Sequence, residues 1–128
     1  MTSGLREVRD DELVDAITEA VASITRRSSA LFERTGLSAR GAEWALETTL
    51  SELSSSDLEH ALRTLGAVQG ERVGRHGLVL AGNVFTACMR PIVWSLLARV
   101  PVVVKVASSD AGLAELFAEA LEETSRPV

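Results

Sequence analysis

The sequence predicts an α/β fold: an N-terminal helical segment over residues 1–66, followed by a βαβα unit over residues 67–128, the two forming one compact domain. Three observations predict it. Apolar residues recur at helical spacing through the first half, four glycines punctuate residues 66–77, and the second half carries two short β-branched runs separated by a helix-length apolar stretch.

The first helix is predicted over Asp10–Arg27, where Leu13, Val14, Ile17, Val21 and Ile24 share one face. Asp10, Asp11 and Glu12 lie at the positive end of its dipole and Arg26 and Arg27 at the negative end. Gly36 ends the following stretch and Ser38 is positioned to cap a second helix, with Trp44, Ala45, Leu46, Leu50 and Leu53 as its apolar face. The run Ser54-Ser55-Ser56 breaks that helix. Ser56 with Glu59 reads as a capping box for a third, in which Leu58, Ala61, Leu62 and Leu65 are spaced i, i+3, i+4, i+7 before Gly66.

Beyond the glycines the period changes. His76-Gly-Leu-Val-Leu-Ala81 reads as a strand ended by Gly82-Asn83, and residues 84–99 as a helix with Phe85, Cys88, Met89, Ile92, Leu96 and Leu97 on or near one side. Pro91 would remove a ladder bond from a helix interior, so a kink or a later start is expected. Pro101-Val-Val-Val-Lys-Val106 has the continuous β-branched character of a strand buried on both faces of a parallel sheet, and Asp110 can cap a last helix through Leu113, Leu116, Phe117, Ala120 and Leu121. Strand, helix, strand, helix is a partial Rossmann-like parallel sheet, and such sheets bind ligands beyond the carboxyl ends of their strands. Asn83 and Lys105 fall near that rim. An open sheet edge would also invite self-association or a partner strand.

Bulk properties narrow the function. The 128 residues are 46% hydrophobic and 24% charged, the profile of a soluble globular domain too small for a two-domain enzyme. The net charge of −5 resides in residues 1–66, with 7 Arg against 12 acidic residues, so no basic stripe for nucleic acid is expected. One cysteine makes no internal disulfide, no Cys/His cluster has metal-ligand spacing, and no leader or membrane span is read, so a cytoplasmic location is expected. No glycine-rich phosphate loop, G-x-S-x-G or H-E-x-x-H occurs.

Three candidates remain. Asn83, at a strand end, reads as a helix N-cap or turn residue, or as an amide donor to a developing oxyanion. Lys105 is the single lysine beside 12 arginines; it reads as a snorkelling side chain at the strand mouth or as a hydrogen-bond donor to a nucleotide ribose or phosphate. Cys88 has no histidine placed by spacing to activate it and reads as core rather than nucleophile. Trp44, Trp94 and the three Phe read as core, His60 as solvated, and His76 is uninformative.

These residues carry a resemblance. Leu78-Val-Leu-Ala-Gly-Asn-Val-Phe85, an apolar helix, and Pro101-Val-Val-Val-Lys-Val-Ala-Ser-Ser-Asp110 resemble the first part of the cofactor-binding domain of acyl-CoA reductases, the fatty-acid reductases of bacterial luminescence operons within the aldehyde dehydrogenase superfamily. Leu37-Ser-Ala-Arg-Gly-Ala-Glu-Trp-Ala-Leu46 through Leu65 is similar to the helical region before that domain, so the likeness spans roughly residues 30–124. In that family a cysteine thiolate attacks an acyl thioester and a hydride from NADP(H) or NAD(H) reduces the acyl-enzyme to an aldehyde. The resemblance implies that Asn83 helps hold the oxyanion, that Lys105 contacts the adenosine ribose side of the cofactor, and that Ala81, Gly82 and Ser108 line the same cleft. Phe85 stands where the family usually has proline, and Ser108 where many aldehyde dehydrogenases have a ribose-binding glutamate, which leaves NADP or NAD open. The family's nucleophile lies downstream of the V-V-V-K element, and Cys88 does not match it. The chain is therefore expected to be inactive alone; the alternative is a non-catalytic α/β module that binds a nucleotide or a protein.

Overall fold

The computed structural model describes residues 8–66, 74–80, 84–108 and 110–125. Helix α1 (Asp10–Arg27) opens with three acidic residues and closes with two arginines. It buries Leu13, Val14, Ile17, Ala20 and Ile24, so the face set by the apolar spacing is the face that packs. A 3-10 helix (Ser28–Thr35) follows and ends at Gly36, whose φ of 76° is a left-handed conformation that glycine adopts without a Cβ penalty.

Helix α2 (Ala39–Leu50) is capped as its sequence predicts, the Ser38 hydroxyl accepting from the Gly41 amide at 3.0 Å. Its buried face, however, is Ala42 and Leu46, and Trp44 is 68% exposed. Two residues from Ala42 is about 200° around a helix, so Trp44 points away from the core once α2 packs through Ala42. Trp94 is likewise on an outer face, at 40%, whereas Phe85 and Phe117 are buried and Phe32 is half-buried. Of the five aromatics read as core, the two tryptophans are not.

Helix α3 (Ser55–Gly66) starts earlier than the Ser56–Glu59 box requires. The reciprocal cap is formed by Ser54 and Asp57: the Asp57 amide donates to the Ser54 hydroxyl at 3.2 Å, and the Ser54 amide and hydroxyl donate to the Asp57 carboxylate at 3.3 and 2.6 Å. The Ser54 hydroxyl and amide hold the Asp57 carboxyl below its ordinary range. Leu58 and Ala61 then face the core, with Leu62 and Leu65 half-buried beside them.

Strands β1 (His76–Val79) and β2 (Val102–Lys105) pair in parallel, His76 opposite Val102 and Val79 opposite Lys105. Helix α4 (Met89–Leu97) connects them and α5 (Leu113–Ser125) follows. Pro91 falls in the first turn of α4, where no intrahelical donor is lost, which is the later start expected from its presence. Leu78, Leu80, Val104 and Val106 pack against the core from one face of the sheet. The other face is open among the described residues, with Val79 84% and Val103 55% exposed. The valine run is thus half-buried in alternation, because the described helical layer lies on one side only. The fold is a helix-dominated α/β arrangement with a small parallel sheet.

The most extensive packing between elements joins α1 to α5, with Ile17, Ile24, Leu113 and Phe117 fully buried. Arg27 closes that seam by bonding Glu123 at 3.1 Å and Glu119 at 3.4 Å. A second tie comes from the end of α4. The Arg99 amide bonds Leu96 O and the Val100 amide bonds Ser95 O, both at 3.0 Å, a Schellman ending that puts Arg99 at φ 57° where glycine is usual. Its guanidinium reaches the Asp10 carboxylate at 2.6 Å and Val8 O at 2.8 Å, offsetting the backbone cost.

Arg99→Ala should therefore destabilise the chain by about 1–2 kcal/mol, because it keeps the left-handed backbone and loses the tie, while Arg99→Gly should cost about 1 kcal/mol less, read as urea midpoints. Ser54→Ala should cost about 1 kcal/mol and Ser56→Ala close to nothing in the same assay; equal losses would restore the later capping box.

Candidate functional site

The carboxyl ends of β1 and β2 form a rim whose spacing is set by the ladder. The Leu80 amide donates to Lys105 O at 3.0 Å, so the residue just before Ala81 is joined to the end of β2. Ala81, Gly82 and Asn83 themselves lie outside the described residues. Lys105 is exposed and makes no side-chain hydrogen bond or ion pair among the described residues. It shares the open sheet face with Val79 and Val103, so its ammonium reaches water without crossing the core.

After β2 the chain turns back. The Asp110 amide bonds Ala107 O at 3.0 Å, and the Asp110 carboxylate accepts from the Gly112 amide at 2.9 Å. Ser108 is exposed on that turn. The first bond of α5 runs from the Leu116 amide to Gly112 O, so Gly112, at φ 99°, begins the helix and Asp110 braces the turn ahead of it instead of capping α5. Among the described residues the rim of β2 therefore offers a cation without an ion pair, Lys105, and an exposed hydroxyl, Ser108, on a braced turn.

On the β1 side, residues 84–88 form turns, with the Ala87 amide bonding Val84 O and the Met89 amide bonding Thr86 O, each at 3.2 Å. Cys88 occupies the cap position of α4. The cap of that helix is therefore a described residue, and the readings of Asn83 lie outside the described residues.

Cys88 is buried at 3% exposure. Burial, reinforced by the nearby Asp110 carboxylate, pushes its thiol up to about 12. A helix N-terminus by itself would lower a thiol pKa, and here desolvation outweighs it. The thiol is thus held in its neutral form and enclosed, which places Cys88 in the core.

One polar pair escapes sequence reasoning. His76 Nδ1 lies 2.6 Å from the Ser95 hydroxyl, which donates to Pro91 O at 2.8 Å. Because the single hydroxyl proton is directed at that carbonyl, the histidine nitrogen is the donor in the first bond, opposite to the polarity of a base activating a serine. The two residues are 19 apart, without any motif to link them, and they pin the start of β1 to α4, at the end of the strand away from the rim.

Among the described residues no cluster of His, Cys, Asp or Glu is arranged to hold a metal ion, and no helix is long and apolar enough to cross a membrane. In comparisons with known proteins, no protein-family model, curated protein or solved structure matches the chain.

Proposed function

We propose that the chain is the first part of the cofactor-binding domain of an acyl-CoA reductase of the luminescence type, contributing the adenosine side of an NADP or NAD site and no nucleophile. The observation that carries this reading is Lys105: the single lysine of the sequence is placed at the carboxyl end of a parallel strand, exposed and without an anionic partner among the described residues. A cation at that position suits a ribose hydroxyl or a phosphate oxygen, and the exposed Ser108 adds a hydroxyl on the adjacent turn. An ammonium and a hydroxyl are donors of the kind that the adenosine end of a dinucleotide takes.

When bound, the nicotinamide supplies the hydride. This chain's own contributions are narrower: Lys105 and Ser108 hold the adenosine end, Ala81 and Gly82 allow close backbone approach, and the Asn83 amide donates to the oxyanion of the acyl group. Cys88 is enclosed in the core and is not presented to an acyl group. The same observation supports the second reading, a non-catalytic nucleotide-binding module, which differs in having no acyl-CoA-reducing partner.

NADPH fluorescence should rise on titration with the purified chain, and Lys105→Ala should weaken binding about 10- to 100-fold, the loss of one charge-assisted bond. No response from the unaltered chain at millimolar NADPH, or an unchanged affinity in Lys105→Ala, overturns the proposed site. Iodoacetamide at pH 8 should modify native Cys88 at least about a hundredfold more slowly than the urea-unfolded chain, followed by mass spectrometry, because desolvation suppresses its thiolate. Aldehyde formed from an acyl-CoA by the chain alone would contradict the absence of a nucleophile.

A further inference from the structure

The phase of the β ladder decides which backbone groups of β2 are already used. His76 N bonds Pro101 O and Leu80 N bonds Lys105 O, so Val103 and Lys105 direct their amides and carbonyls toward β1. Val102 and Val104 direct theirs to the opposite edge, where no described residue pairs with them. The side chains of those same residues, with Val106, line a cleft of about 340 Å³ completed by Ile92 and Leu96 of α4 and Phe117 of α5. Unpaired strand backbone and an apolar cleft are therefore presented side by side.

Charge distinguishes this cleft from a simple gap in the core. Glu115 and Glu122, two turns apart on α5, both border it, and neither makes an ion pair among the described residues. Glu119 and Glu123, on another stripe of the same helix, are both held by Arg27. We propose that the free edge of β2 receives an extended polypeptide segment as a third strand, its alternate apolar side chains entering the cleft and its flanking basic side chains meeting Glu115 and Glu122. Backbone pairing would supply most of the affinity, the cleft the register, and the carboxylates the choice of sign.

A second copy of this chain fits less well. Antiparallel pairing of two β2 strands centred on Val103 would satisfy Val102 and Val104, but it would bring the two clefts together with Glu115 of one copy level with Glu122 of the other. No cation among the described residues pairs with those carboxylates. The proposal does not depend on the nucleotide reading, since it uses the strand edge and not the rim.

The test uses the 128-residue chain, ¹⁵N-labelled, with three peptides: acetyl-Arg-Val-Thr-Val-Thr-Val-Arg-amide, its Glu-flanked counterpart, and the Arg-flanked peptide N-methylated at alternate residues. The Arg-flanked peptide should bind, shift the Val102 and Val104 amide resonances and slow their exchange. The Glu-flanked peptide should bind at least about tenfold more weakly, and the N-methylated peptide should not bind. In Glu115→Gln with Glu122→Gln the preference for Arg flanks should shrink to about twofold while the Val102 and Val104 shifts persist. Unmoved Val102 and Val104 amides at millimolar Arg-flanked peptide would overturn the proposal. So would protection of those amides without peptide in a chain that sediments as a dimer.

Discussion

The contact between α1 and α5 is the constraint on which the rest of the molecule depends. Two paired strands of four residues have too little buried surface to persist alone, so the sheet exists only where a helical layer covers it. That layer is assembled where α1 packs on α5, and Ile17 and Ile24 of the first and Leu113 and Phe117 of the second are fully buried. Once α5 is held, the turn at Ala107 to Gly112 is stretched between two anchored elements, and the end of β2 is fixed with it. The position of Lys105 is thus set largely by apolar packing on the far side of α5, and its own side chain contributes little to placing it.

Electrostatics then operates at the seams of this packing. Arg27 and Arg99 each bind groups on a distant element, and each does so where an apolar contact has already brought the backbones together. Exposed ion pairs of this kind contribute little individually. Arg99 differs because it also bonds Val8 O and is itself only a fifth exposed, which is why it persists in a backbone conformation that glycine would adopt more readily.

Elements dictated by local chemistry were legible in the sequence. The apolar spacing of α1, the Ser38 cap and the displacement of the α4 start by Pro91 each follow from interactions within a few residues. What was not legible depends on which neighbour is present. Trp44 looks like core by type, yet the face of α2 that packs is chosen by Ala42 and Leu46. The three consecutive serines offer two capping registers of equal pattern, and the structure uses Ser54 with Asp57. The valine run suggested burial on both faces, but burial of a strand is a property of the layers around it. At the site, the role of Cys88 as core was readable from the lack of a base nearby, whereas the His76–Ser95 bond was not, because only the fold brings them together.

The Arg99–Asp10 bond spans 89 residues, and α1 finds its principal partner in α5, the last of the described helices. Contacts this far apart in sequence are slow to form, since the loop between them must close first. During synthesis α1 emerges with its apolar stripe and waits until every element between it and α5 has been made before α5 can cover it. The valines of β2 emerge in that same interval. The order of elements along the chain therefore keeps the apolar stripe of α1 and the valines of β2 uncovered until α5 has been made.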